Sequence, residues 1–477
     1  MAFRMVTALQ RRALKCALLA ATSLTLAVPA AAADRVEALE SRMSALEGRL
    51  DRILMRLETG GAQLTAEEAR TLQDAGKILR QGADSAAAPV LIELETPGGI
   101  AAQTPLRTRE KTEGFRVGDT QFGFTGFVKL DASFTDFSSG DLPSSSLGRD
   151  FYIPGLVPVG GEGDGADFDF NPRETRFIFT MDSERGGREI GGKLEFDFQV
   201  TNDGNERVSN SYTPRMRQAY VTIDNWLFGQ AWSTFQDVSA LPDNLDFIGP
   251  TEGTVFIRQP MVRYTKGPFQ IALEQPETTV TTSAGARLLP GDDIAPDAVV
   301  RYGKKGDWGH FAAAGIVRAL HIEDELVPGA VEDTAIGYGL SLSGKLNAWG
   351  KNDFRFMATA GEGLGRYIGV NIVNDAAVDA RGELDPIETY SGFASYRHFW
   401  TPKWRSSLTG GYFAADNPVE LVGDGTTDRV YSVHANIIHS PVDKIDIGFE
   451  YIYSNRRLDS GLDGDMNKFQ FSTKYSF

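Results

Sequence analysis

The sequence predicts an all-β protein, a 16-stranded antiparallel transmembrane β-barrel with an N-terminal periplasmic coiled-coil helix ahead of it. Three observations carry that prediction. From Gln121 to the end, apolar and polar residues alternate with period two; the links between the alternating runs are short and long in turn; and five of the six tryptophans flank the short links. Alternation is what a strand needs when one face meets lipid and the other meets water or side chains. A soluble sandwich also alternates, but it has no reason to keep a short-long rhythm of connections, whereas a bacterial barrel has short periplasmic turns and long external loops.

The chain opens on Arg4, Arg11, Arg12 and Lys15, continues with an uncharged apolar run from Cys16, and reaches Ala31, Ala32 and Ala33 before Asp34. That is the pattern of a secretory signal peptide over 1–33, with cleavage expected after Ala33. An uncleaved anchor is the alternative, and Pro29 with the alanine run argues for processing. Cys16 is the one cysteine of the chain, so the exported protein is expected to have no thiol, disulfide or thiolate metal site.

Over 34–59, Val36, Leu39, Met43, Leu46, Leu50, Ile53 and Leu57 are spaced by three and four residues, with mostly charged residues between. This predicts a coiled coil of about three heptads, too short to be stable as an isolated helix, so partner helices must be held nearby. A surface-lying amphipathic helix is the alternative. Residues 60–120 read as a second helix followed by an Ala/Pro/Gly/Thr-rich linker, and the barrel follows over 121–477.

The last predicted strand shows the alternation most plainly. Phe469, Phe471, Thr473, Tyr475 and Phe477 take one face, and Lys468, Gln470, Ser472, Lys474 and Ser476 take the other. Strands are predicted near 122–136, 173–182, 192–201, 213–223, 225–236, 254–265, 268–275, 297–305, 308–320, 334–347, 352–361, 386–400, 404–415, 428–439, 444–455 and 466–477. Asp224-Asn225, Lys266-Gly267, Gly306-Asp307 and Thr401-Pro402-Lys403 are the tight turns, and 137–172, 237–253, 276–296 and 362–385 the long loops. Trp226, Trp308, Trp349, Trp400 and Trp404 sit beside the turns, where amphipathic rings mark a membrane boundary. Phe477 then closes the sheet at the periplasmic rim, against the first strand.

The formal charge is −16, and the mature chain is more acidic still because the signal peptide carries only positive charges. Nucleic acid is therefore excluded as a partner. With 23% charged residues and a mean hydropathy of −0.23, a helical membrane protein is excluded too; a barrel needs no long apolar run, because only alternate residues meet lipid.

The stretches GRDFYIPGLVPVGG (148–161), NPRETRF (171–177), GQAWSTF (229–235), PDNLDFIGP (242–250), RQPMVRYT (258–265) and ALEQPET (272–278) resemble the DcaP-like trimeric outer-membrane porin family. The resemblance runs from about residue 120 to the end, and the N-terminal heptads fit it as well. It implies a homotrimer in outer-membrane lipid that passes small anionic solutes, dicarboxylates among them, without a cofactor.

Selectivity in a pore comes from charge at its constriction. Arg176, Arg215, Arg217, Arg258 and Arg301 fall at upper or middle height on neighbouring downward-running strands and are expected to form a basic ladder, since guanidinium pairs bidentately with carboxylate. The alternative is that they only neutralise Glu174, Glu195 and Asp197. Pro260 makes the facing of Arg258 against Arg263 ambiguous. Asp237, Asp243, Asp246 and Glu252 lie on the long loop 237–253, which is expected either to fold inward and face the ladder with acids or to be a solvated surface loop. The acidic run 162–169 is a weak calcium candidate, lacking the spacing of a known loop, and no metal site is expected.

Other function classes are weighed against this. A general, sugar- or phosphate-selective porin differs only in the lumen. A hydrolase needs serine, histidine and an orienting group together; His434 shares a face with Ser432, but no third partner is evident in the sequence. An envelope-tethering barrel, in contact with the cell wall through the coiled coil, is the structural alternative.

Overall fold

The computed structural model describes residues 114–477 apart from 164, 201–208, 283–284, 292, 324–331 and 380. The expected signal peptide, coiled coil and most of the linker lie outside the described residues.

The barrel strands are β1 (Thr120–Phe137), β2 (in two pieces, Ala166–Asn171 and Arg176–Arg185), β3 (Arg188–Asp197), β4 (Arg215–Ile223), β5 (Trp226–Trp232), β6 (Arg258–Lys266), β7 (Phe269–Glu274) and β8 (Asp297–Gly306). They continue as β9 (Gly309–Ile322), β10 (Asp333–Asn347), β11 (Asp353–Glu362), β12 (Glu388–Thr401), β13 (Trp404–Asp416), β14 (Thr427–His439), β15 (Ile445–Leu458) and β16 (Asp463–Ser476). Each pairs antiparallel with the next, and β1 pairs with β16 from Phe127↔Ser476 to Phe137↔Met466, which closes the ring at sixteen strands. A short strand, Gly114–Val117, adds a hairpin below β1.

Phe477 completes the closure. Its backbone N–H donates to the Gly126 carbonyl at 3.0 Å, and the Gly126 N–H donates to the Phe477 carbonyl at 3.1 Å. Its ring lies 5.3 Å from that of Phe124 and 6.1 Å from that of Phe177. On β16 the predicted faces are observed: Phe469 is 59% exposed on the outside, while Lys468, Gln470 and Ser472 are buried inside. Trp226, Trp308, Trp349, Trp400 and Trp404 are all exposed at the short-turn end, and Trp232, the sixth, is buried.

The second strand departs from its prediction. It begins at Ala166, inside the stretch read as a loop, and breaks at Pro172, which has no N–H to give to the ladder. The break turns Glu174 inward, where it pairs with Lys129 of β1. Asp167 and Asp169, two members of the acidic run, pair with Arg149 at 3.0 and 3.1 Å, and no carboxylate group suited to a metal ion occurs among the described residues.

A second irregularity lies between β3 and β4. Glu195 is opposite Gln218 and Phe196 is opposite Met216, so Arg217 is an extra residue on β4. Such a bulge re-aims side chains, and here Arg217 and Gln218, adjacent in sequence, both point inward and are both buried.

At the long-loop end, two-residue and three-residue strands from 275–296 and 363–387 form a small separate sheet. It packs Val280, Ala376 and Val378 on Leu320 and Ile322 of β9. Arg318, 1% exposed at its side chain, ties the arrangement together through Asp297 (3.1 Å) and Asp375 (2.6 Å) and the carbonyls of Gly363 and Glu277 (both 2.6 Å).

Candidate functional site

Residues 233–257, the loop between β5 and β6, fold into the barrel. Asp237 pairs with Arg301 and His310, each at 3.0 Å, and accepts from the Ser343 hydroxyl at 2.9 Å. Asp243 pairs with Arg405 at 2.7 Å and Arg397 at 3.1 Å. The Leu245 N–H donates to Glu450 at 2.6 Å, and Lys129 donates to the Leu245 carbonyl at 2.5 Å. Asp246 accepts from the Tyr152 N–H at 2.9 Å and lies 3.9 Å from Lys468. Glu252 accepts from the Ser432 hydroxyl. These anchors fall on β8–β16 and β1 and on the loop before β2, so the four predicted loop acids are spent holding the loop.

Burial opposes ionisation of Asp237 and Asp243, yet Arg301 for the first and Arg405 with Arg397 for the second hold both carboxyls well below the usual range. Glu252 behaves oppositely. Burial pushes its carboxyl up, and the nearby His434 and the Ser432 hydroxyl offset this only in part. The loop also approaches the wall too closely for side chains: a Cβ at Gly253 would stand 2.2 Å from the Gly392 carbonyl oxygen, and one at Gly411 would stand 2.1 Å from Glu252 Oε1.

Towards β2–β6 the loop presents rings instead of acids. Phe247 lies under the guanidinium groups of Arg217 (5.3 Å) and Arg176 (5.9 Å), and Phe256 under that of Arg258 (5.7 Å). Arg258 also stacks on Trp232 at 4.5 Å. Two carboxylates, Glu195 and Asp197 on β3, hold most of the cations of this wall. Arg217 reaches them at 2.7 and 2.6 Å, Arg215 reaches Asp197 at 3.0 Å, Lys193 reaches Glu195 at 2.8 Å, and Arg176 stands at 3.7 and 3.9 Å. Arg258 has no ion pair among the described residues, and its buried Nη1 has no hydrogen-bond partner. Four cations therefore share two carboxylates, and Arg258 stands beside them without one.

Of the five arginines predicted, four are thus brought together, and Arg301 is placed apart, on Asp237 and the Gln236 carbonyl. Arg263 is buried on the inside as well, so Pro260 does not force a choice between it and Arg258. Glu174 belongs to Lys129 and not to the ladder.

The third partner missing from the Ser432/His434 pair is Glu450, across the β14–β15 ladder. Ser432 Oγ is 3.0 Å from His434 Nε2, and His434 Nδ1 is 3.3 Å from Glu450. All three are buried, and Ser432 is engaged by Glu252. With no exposed nucleophile, the geometry is that of a clamp on the inner loop.

A model of the DcaP outer membrane protein family matches residues 180–477. The chain belongs to that family. It is accordingly an outer-membrane β-barrel of the porin type, with the short turns on the periplasmic side. No curated protein matches it. Among solved structures, the outer membrane channel DcaP of Acinetobacter baumannii superposes with a TM-score of 0.64 at 23% identity, covering 76% of this chain and 99% of that one. OmpT of Vibrio cholerae, in a form with loop L8 deleted, reaches 0.47 at 14% identity over 76% and 100%. The anion-selective porin from Comamonas acidovorans reaches 0.48 at 9% over 75% and 100%. The first of these supports the fold.

This DcaP-family barrel holds a second basic group that sequence reading passed over. At the periplasmic end, Arg355 pairs with Asp353 at 2.7 Å, Arg397 pairs with Asp353 and Asp243, Arg405 pairs with Asp243 and Asp446, and Lys474 stands 3.5 Å from Asp446. The signal was present: Arg397 is in phase with inward Ser391 and Ser395, and Arg405 with Ser407 and Thr409.

Proposed function

We propose that the protein is a passive diffusion channel for small anionic solutes, with dicarboxylates as the favoured class, working as a homotrimer. The observation that carries this reading is the charge balance of the β2–β6 wall, where Arg176, Lys193, Arg215 and Arg217 share Glu195 and Asp197 and Arg258 has no ion pair among the described residues. Glu195 and Asp197 are two carboxylates side by side on one face, already held by guanidinium forks. A dicarboxylic acid presents the same pair of groups, and an unpaired Arg258 is free to take one of them.

In this reading the chain is exported by the signal peptide over 1–33, and the coiled coil over 34–59 stands in the periplasm, where it supports trimer contacts. The wide aromatic outer face near the closure, with Phe124, Phe134, Phe179 and Phe469 all exposed, gives outer-membrane lipid or neighbouring subunits an apolar surface.

The zero-current potential of oriented channels across a potassium chloride gradient tests the reading. Anion preference, with chloride current blocked by succinate, is expected. Cation preference, or block by a neutral sugar but not by succinate, refutes it in favour of a general or sugar-selective pore.

A further inference from the structure

We propose that the periplasmic mouth carries a second anion site, distinct from the β2–β6 wall, formed by Lys345, Arg355 and Arg397 and suited to a small dicarboxylate. This inference rests on the anion-channel reading above. Lys345 and Arg355 are direct cross-strand partners on β10 and β11. Like charges placed so are destabilising, so the arrangement calls for a counter-ion.

The protein supplies too few. Asp353 serves both Arg355, at 2.7 Å, and Arg397, and Asp243 is divided between Arg397 and Arg405. Asp446 is shared by Arg405 and Lys474. The Lys345 side chain has no hydrogen bond or ion pair among the described residues. The buried Nε of Arg397 has no hydrogen-bond partner. One accessible donor, the Lys345 ammonium, is therefore left for an incoming carboxylate, in the field of Arg397 and of Arg355, whose guanidinium holds Asp353 and the Leu241 carbonyl.

The patch is electrically separate from the upper wall. Lys345 lies two residues from the periplasmic end of β10, whereas Arg215 and Arg217 begin β4 at the opposite end of the barrel. At about 3.3 Å per residue, the roughly four to six residues between them along strands tilted by about 40° put the two heights roughly 10–15 Å apart. That exceeds the Debye length of about 8 Å at physiological ionic strength. A solute released from the upper wall thus meets a second well before the periplasm, and two moderate wells conduct better than one deep one.

Succinate block of chloride current, applied to either face of oriented channels, tests this. Lys345→Gln is expected to raise the blocking concentration from the periplasmic face by roughly three- to tenfold, the loss of one near charge, and to leave extracellular block within error. Lys345→Arg is expected to restore it. Lys345→Cys gives a second route, because the chain's single cysteine, Cys16, lies in the predicted signal peptide. Attaching a cationic thiol reagent to the assembled channel should recover periplasmic block, and an anionic reagent should not. Equal weakening from both faces, or no weakening from the periplasmic face, overturns the second site while leaving an anion-selective wild type in place. A cation-selective wild type overturns the anion-channel reading itself.

Discussion

Arg258→Glu isolates the charge of the upper wall from its architecture. Arg258 is the one arginine of that group with no carboxylate partner among the described residues, held over Trp232 at 4.5 Å, so replacing it strands no buried acid. By contrast, replacing Arg217 would leave Glu195 and Asp197 facing each other without their main counter-ion. The swap changes the local charge by two units. For a chloride passing at about 7 Å in a water-like medium, that is about 1.2 kcal/mol before screening. Screening at 0.1 M salt roughly halves it, leaving about a threefold loss for chloride and, with the equal and opposite gain for potassium, roughly a sevenfold fall in the chloride-to-potassium permeability ratio. At 1 M salt the Debye length shrinks to about 3 Å and the effect should nearly vanish. Reversal potentials at the two ionic strengths read this directly. A ratio unchanged at 0.1 M, or an equal fall at 1 M, would refute the reasoning, because the first denies the charge a role and the second assigns the effect to pore shape.

Asp243→Asn removes the carboxylate shared by Arg397 and Arg405; the inner loop should loosen, and single-channel current variance should rise. Because Asp237 and Asp243 are held well below the usual carboxylate range, their stabilisation is complete above the ordinary value of about 3.9 and is lost only as pH falls further. Wild-type variance from this source should accordingly be equal at pH 7 and pH 5. Glu252→Gln should act in the opposite sense. A carboxyl raised by burial favours the fold while protonated, so stability is greatest below the ordinary value of about 4.3 and declines as pH rises through the folded value. The glutamine variant should show a smaller fall in melting temperature between pH 5 and pH 8, and an unchanged fall would dismiss the buried carboxyl as the cause. Arg318→Met leaves Asp297 and Asp375 buried together, at a local cost of about 3–5 kcal/mol; limited proteolysis should cut within 275–296 and 363–387 while the barrel stays heat-modifiable on a gel.

The strands were legible because each is tested twice by the environment, with lipid outside and packed polar groups inside, so alternation survives almost without slips. It failed where the ladder itself is irregular. The pattern Asp167-Phe168-Asp169-Phe170 is a strand by its alternation, with both rings exposed outside, but its density of acids suggested a cation loop; Arg149, remote from any strand pattern, is what the acids needed. The bulge at Arg217 was not legible, since nothing in an alternating run marks which residue the opposite strand omits. Loop partners were the least accessible. Asp243 and Arg405 are 162 residues apart, and only the closed ring brings them together.

An acidic chain can still present a basic pore, because what matters to a passing ion is where the acids are spent. Had Asp237, Asp243, Asp246 and Glu252 faced the arginine wall, they would have offset its excess across the constriction. Instead the loop commits them to β8–β16 and the loop before β2 and turns Phe247 and Phe256 to the arginines. An aromatic face attracts a cation without adding net charge, so these rings position the guanidinium groups and leave their field intact. The clamp at Glu252, Ser432, His434 and Glu450 then has a definite electrical consequence. By keeping the loop on the far wall, it preserves the unbalanced charge of the near one, and any change that frees the loop should alter selectivity as well as conductance.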